Sequence, residues 1–398
     1  MMFLSPAVKK IKPSLTLAIT ARANAMKANG IDVIPLSAGE PDFDTPKHIC
    51  DAACEAIRNG FTRYTASSGI AELKKAVCDK LHRDNGLVYS PSQVIVNCGA
   101  KHSDFLVIFS MIGPGEEVII PSPFWLSYPE MVTLAGGTPV IVPCKEENGF
   151  KITPGQLKDA ITSRTRLLIL NTPSNPTGMI YSEEELLSLG EEIVDSDIYV
   201  LSDEIYEKLI YDGKHHTSIG SLSSELFNHT ITVNGVSKAY SMTGWRIGYT
   251  AGPEELIKVM DAVQSQEVSN PASISQKAAL AALTGSQDFI EVMVKEYSRR
   301  RRYMVDRLNN IEGVRCLIPD GAFYAFPDVS SMYGRSFKGK LISGSMGFCD
   351  YMLDEWKIAI IPGGPFGADT HVRFSYSVPM EIIERGIDRF EKGIKALE

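Results

Sequence analysis

The stretch Ser237-Lys238-Ala239-Tyr240-Ser241-Met242-Thr243-Gly244-Trp245-Arg246-Ile247-Gly248 decides how this chain is read. It follows an apolar, β-rich run that ends at Asn234, so Lys238 lies just past a strand end, where a side chain can face a cleft. Small residues and glycines around it leave room for a bulky ligand. Arg246, eight positions on, offers a planar fork that can clamp a phosphate bidentately. A single lysine on a glycine-rich loop is by default a surface charge. That default loses here because matching groups recur at other strand ends.

Asp203 closes the run Tyr199-Val200-Leu201-Ser202-Asp203, and a carboxylate directly after an apolar strand is costly unless it is paired. A protonated pyridine nitrogen would be such a partner. Asn175, in Asn175-Pro176-Thr177-Gly178, also follows a strand; its amide and the Tyr206 hydroxyl suit a phenolic oxygen. Gly99-Ala100-Lys101 follows the run 94–97 and opens a helix, whose free amides suit a phosphate. Each motif alone is weak, since Asn-Pro and Ser-Asp turns are common. The set, in this order, is strong.

Around these motifs the chain alternates short strands with helices. The strand runs are 94–97, 117–121, 139–142, 167–171, 199–202, 230–234 and 248–251, and most are continuously apolar, as for strands covered on both faces. Helical patterns lie between many of them, including 182–195, where Ser182 and Glu185 form a capping box. This alternation predicts an α/β fold with a mostly parallel seven-stranded sheet. A helical pattern covers 276–309, and after Gly313 strands at 323–326, 358–361 and 372–376 alternate with helices at 344–355 and 380–395. These form a second, smaller α/β unit. The expected division is a large domain over 47–290 and a small domain made of 1–46 and 291–398.

Bulk properties exclude other classes. The 398 residues, 44% hydrophobic and 22% charged, are those of an ordinary soluble globular protein, and the net charge of -8 argues against a nucleic-acid partner. The run Arg299–Arg302 is read as a solvated helix face balanced by Glu291 and Glu296. The seven cysteines are odd in number and form no C-x-x-C pair, so a reducing, cytoplasmic setting is expected. His48, Cys50 and Cys54 could tempt a metal reading, but 48–58 reads as a helix and the two cysteines as small core residues; no metal is expected. The amino-terminal apolar stretch is too short for a signal peptide, and no run reaches membrane-span length. Gly334–Leu341 nearly spells a P-loop. It lacks the Ser/Thr after Lys340 and any strand leading into it, so it is read as a flexible basic loop.

From Ser37-Ala38-Gly39-Glu40-Pro41-Asp42-Phe43 to His371-Val372-Arg373-Phe374-Ser375-Tyr376, the chain resembles the fold-type-I, class-I aminotransferases of the aspartate aminotransferase subgroup found in many bacteria. The resemblance implies pyridoxal 5'-phosphate as cofactor and Lys238 as the lysine that holds it. It places Arg246, Ser237 and the backbone amides of Ala100 and Lys101 at the phosphate, Trp125 on the ring face, and Asp203 at the ring nitrogen. It places Asn175 and Tyr206 at the phenolic oxygen, and Arg373 with the Gly39 backbone at the substrate carboxylate. Trp125 and Asn175 also border the substrate. Tyr64 resembles the tyrosine that reaches the phosphate of a neighbouring subunit, which implies a homodimer. Amino acids and 2-oxo acids would be the substrates, used in ping-pong order, with L-aspartate and 2-oxoglutarate as first choice. Lys12, Thr16 and Lys101 resemble the set in members that also accept prephenate; the bland reading of Lys12 is an exposed terminal charge. Rivals are an aromatic or alanine aminotransferase, a carbon–sulfur lyase or decarboxylase on the same scaffold, and a regulator that kept the fold. A plain interaction scaffold would have no use for Lys238, Asp203, Asn175, Arg246 and Arg373 together.

Overall fold

The computed structural model describes residues 9, 11, 13 and 15–398. The first short strand, β1 (Ile34–Pro35), leaves the amino-terminal segment and pairs in parallel with Ile358–Ala359 near the other end of the chain. The central sheet then takes seven strands: β2 (Val94–Asn97), β3 (Glu117–Ser122), β4 (Thr138–Pro143), β5 (Thr165–Asn171), β6 (Tyr199–Asp203), β7 (Thr230–Gly235) and β8 (Gly248–Ala251). Their order is 2-8-7-6-5-3-4, and only β8 runs against the others. β2, β7 and β8 are buried along their whole length, so even the alternating Thr230, Thr232 and Asn234 of β7 lie inside.

The antiparallel β8 matters for the site. Parallel strands deliver their carboxyl ends to one edge of a sheet, and ligands gather there. β8 starts at that same edge, with Gly248 in register with both Gly235 and Asn97. Arg246, two residues before β8, therefore arrives beside the loops that leave β2 and β7.

The second unit centres on a three-stranded antiparallel sheet, with Val372–Ser375 between Ile361–Pro362 and Tyr324–Ala325. Met380–Lys395 buries Ile383, Ile387, Phe390 and Ile394 at helical spacing, and Phe390 meets Phe374 of that sheet edge-on. Each such side chain contributes about 1.5–3 kcal/mol of transfer free energy.

Four sequence expectations need correction. The helical stretch over 276–309 is two helices, Ser273–Thr284 and Asp288–Asn309. The break sits at Gly285, where a Cβ would come 2.6 Å from the Ala281 carbonyl and 2.8 Å from the His48 ring. The Arg299–Arg302 run is only half solvated. Arg300 reaches Asp42 and Glu296, and Arg301 is buried against Asp212 and the Pro319 carbonyl. The segment 334–341 is no plain loop, since Ser336–Phe337 and Lys340–Leu341 pair as an antiparallel hairpin. Cys54 is exposed and Cys50 only half-buried, because helix Lys47–Arg58 turns Ile49, Ala53 and Ala56 to the core instead. All seven thiols are free. No described helix is long and apolar enough to cross a membrane.

Candidate active site

At the strand-end edge of the central sheet lies a cleft of about 480 Å³. It gathers Thr16, Gly39, Ala100, Lys101, Trp125, Asn175, Asp203, Tyr206, Ser237, Lys238, Arg246 and Arg373, residues from both units of the chain. Two sequence candidates are not among them. Tyr64 is 87% exposed and away from the cleft. Lys12 lies outside the described residues.

Lys238 follows the end of β7, and its amine donates to the Gly39 carbonyl at 2.6 Å. Desolvation pulls its pKa down to about 8, helped by the positive charges of Arg373 and Arg246 and opposed by Glu40 and Asp203. An amine so placed is ready to give up its proton near neutral pH.

Asp203 ends β6 and is buried. The Tyr128 hydroxyl donates to its Oδ2 at 2.6 Å and the Ile205 amide to its Oδ1 at 3.2 Å. Burial nevertheless lifts its pKa to about 6, against those two donors. The carboxyl is held by two hydrogen bonds and the more distant charge of Lys238.

At the other end of the cleft, helix Ala100–Met111 starts at Gly99, whose φ is 94°. Arg246 folds over this start and donates to the Cys98 and Thr243 carbonyls at 3.2 and 2.9 Å. A Cβ on Gly99 would sit 2.3 Å from the Arg246 guanidinium, and one on Gly248 2.3 Å from the Ala100 nitrogen. Both glycines therefore keep open an anion cradle made of helix amides and a guanidinium. Trp125 stands between the two ends, edge-on to Tyr128, with the Lys101 ammonium 4.8 Å from its ring centroid.

Arg373 comes from the central strand of the smaller sheet. It is buried, donates to Asn175 Oδ1 at 2.9 Å and to the Ser37 carbonyl at 3.1 Å, and among the described residues its Nε has no partner. The Tyr206 hydroxyl pairs with that of Tyr324 at 2.9 Å. The cleft thus offers an anion cradle, an aromatic wall, a buried carboxyl, a depressed amine and a carboxylate-ready fork.

The sequence reading missed Tyr128, Tyr324, Asp104 and Asn171, which also line the cleft. The first three sit inside helices or in the second unit, with no local motif to expose them. Two other clusters, Glu146–Asp328–His371 and Glu204–Glu207–His216, have spacing that would suit a metal. In each a protein cation already meets the carboxylates: Arg315 pairs with Glu146, and Lys80 with Glu207.

Residues 31–390 match the family model described as aminotransferase class I and II. The chain is 47% identical to the aspartate aminotransferase of Bacillus subtilis, over 99% of each chain. It is also 47% identical to the aspartate/prephenate aminotransferase of Cereibacter sphaeroides, over 98% of each. The crystal structure of the aspartate aminotransferase from Rhizobium meliloti superposes with a TM-score of 0.97 at 43% identity, covering all of both chains.

Proposed function

Since the chain belongs to the class I and II aminotransferase family, and so is a pyridoxal-phosphate-dependent transaminase of fold type I, we propose that it moves the amino group of L-aspartate to 2-oxoglutarate. One observation carries this reading: the depressed amine of Lys238 and the partly unpaired guanidinium of Arg373 face one cleft. The printed names of relatives at 47% identity support aspartate as the donor.

The site's residues fit the cofactor by chemistry. The cradle of Arg246, Ser237 and the Ala100 and Lys101 amides suits its phosphate, Trp125 its ring face, and the buried Asp203 its ring nitrogen. When bound, pyridoxal phosphate supplies an aldehyde that takes up the amino group and a ring that accepts electron density from the substrate α-carbon.

The protein does the rest. Arg373 forks the α-carboxylate and orients the C–H bond. Lys238 Nζ, neutral in a useful fraction near its pKa of about 8, takes the proton from the α-carbon as general base. Asp203 keeps the ring nitrogen protonated, which requires its carboxyl to be ionised. Asn175 and Tyr206 hold the phenolic oxygen, and Tyr324 fixes the Tyr206 hydroxyl. The Gly39 carbonyl accepts from the Lys238 amine before the cofactor is bound, and the Gly39 backbone helps position the substrate carboxylate.

Prephenate as a second acceptor is supported by Thr16 and Lys101 at the cleft and by the name of the Cereibacter sphaeroides relative. A cytoplasmic homodimer belongs to the same reading. The free thiols support the compartment, and the solvent-facing Tyr64 is available to reach a second copy's phosphate. The division into domains at 47–290 and 1–46 with 291–398 is supported by the pairing of β1 with Ile358–Ala359, although helix Asp288–Asn309 spans its second boundary.

The test is the visible spectrum of the loaded protein before and after L-aspartate, with no oxo acid present. The reading expects the visible band to convert and oxaloacetate to appear in stoichiometric amount. A band that persists would keep the cofactor and remove aspartate as donor.

A further inference from the structure

Beside Asp203 lies a second carboxyl that the proposed mechanism does not use. Asp104 stands on helix Ala100–Met111, is fully buried, and lines the same cleft. Neither of its oxygens has a hydrogen-bond partner among the described residues. The titratable and charged groups that face it are Asp203 from β6, Tyr128 from helix Ser127–Ala135 and Lys101 from its own helix.

Two neighbouring carboxyls in a low-dielectric site do not both ionise. The supply of donors decides which one carries the charge. Asp203 receives the Tyr128 hydroxyl and the Ile205 amide; Asp104 receives nothing. A buried carboxylate with no donor is far more costly than a buried carboxylic acid.

We propose that Asp104 is a positioning residue of the cofactor site, holding the proton of an Asp104–Asp203 pair and confining a single negative charge to Asp203. The proposal rests on the cofactor reading above. A charge fixed on Asp203 matches one protonated ring nitrogen; a second charge would leave the buried site unbalanced. Burial first, and then the Asp203 charge, push the Asp104 carboxyl well above the usual carboxylate range. Asp104 acts through Asp203 and has no step of its own at the substrate.

The experiment compares thermal midpoints of the cofactor-free protein from pH 5 to 9 for wild type, Asp104→Asn and Asp104→Leu. Asp104 keeps its proton in the folded state at pH values where the unfolded chain, with a pKa of about 3.9, has lost it. The Asp104 contribution to stability therefore falls as pH rises. The midpoint advantage of Asp104→Asn should widen by several degrees from pH 5 to 9, and Asp104→Leu should show the same slope even with a constant offset. The gain from Asp104→Asn should shrink in an Asp203→Asn background, where the like charge is gone. Parallel midpoint curves for wild type and either folded variant would overturn the proposal. Failure of wild type to develop any visible band with pyridoxal phosphate would instead sink the cofactor reading, and the positioning role with it.

Discussion

The Tyr128 hydroxyl donates to Asp203 Oδ2 at 2.6 Å across 75 residues of sequence, with both groups buried. This bond is the main brake on a carboxyl that burial drives toward protonation. It holds the Asp203 pKa at about 6, low enough to be mostly ionised at pH 7.

Tyr128→Phe removes that brake. A hydrogen bond to a charged group is worth about 1.5–3 kcal/mol, so the Asp203 pKa should climb by roughly one to two units. In the cofactor-free protein, a folded-state pKa raised further widens the pH range over which the Asp203 contribution to stability falls with rising pH. Thermal midpoints of Tyr128→Phe relative to wild type should therefore keep falling to a pH about one to two units higher. A midpoint profile that overlays wild type would show that Tyr128 does not support the charge on Asp203.

Arg373→Lys keeps the charge and loses the fork. Lysine cannot at once reach Asn175, the Ser37 carbonyl and a substrate carboxylate. Loss of one charge-assisted bond of about 1.5–3 kcal/mol predicts a roughly 10- to 150-fold drop in kcat/KM for aspartate. Steady-state kinetics in both substrates checks this. A change confined to the oxo-acid half-reaction would place the α-carboxylate elsewhere.

The strand runs were legible because burial on both faces leaves an unbroken apolar signature, as in Val94–Asn97. The Ser182–Glu185 capping box was legible because its chemistry is local. Lys238, Asp203, Asn175 and Arg246 were legible because each follows or precedes a strand at the edge where ligands collect. Tyr128 and Asp104 were not, since one helix residue among many carries no mark of facing a cleft. The buried pair of arginines was misread for a related reason. Asp42 and Asp212, which neutralise Arg300 and Arg301, lie 258 and 89 positions away.

That misreading yields a stability prediction. Asp212 bonds Arg301 and Arg302 at 2.5 Å each, but only Arg301 is buried, at 1% side-chain exposure. Asp212→Asn strips the carboxylate from a buried guanidinium and should cost about 1–3 kcal/mol, discounted because Asp212 itself is partly exposed. Arg302→Ala removes only an exposed partner and should stay within about 0.5 kcal/mol. Chemical denaturation of the two variants ranks them; equal losses would deny Arg301 its dependence on Asp212.

Lys238 carries a pH signature that is independent of turnover. Its folded-state pKa of about 8 lies below the unfolded value of about 10.4. Below pH 8 the unfolded chain gains a proton's worth of solvation that the buried amine lacks, so Lys238 destabilises the cofactor-free protein there. Between pH 8 and about 10.4 the unfolded state binds more protons than the folded one, and stability attributable to this residue rises with pH. Lys238→Met removes the penalty. The variant should be more stable than wild type at pH 7, and the gap should close as pH passes through 8 toward 10. The same variant should have no transamination activity, because among the described residues no other amine meets the Gly39 carbonyl. Thermal midpoints across pH 6–10 measure the first effect and a coupled assay the second. A gap independent of pH would mean the lysine is ordinary in its titration, and residual steady-state turnover would remove it as the base.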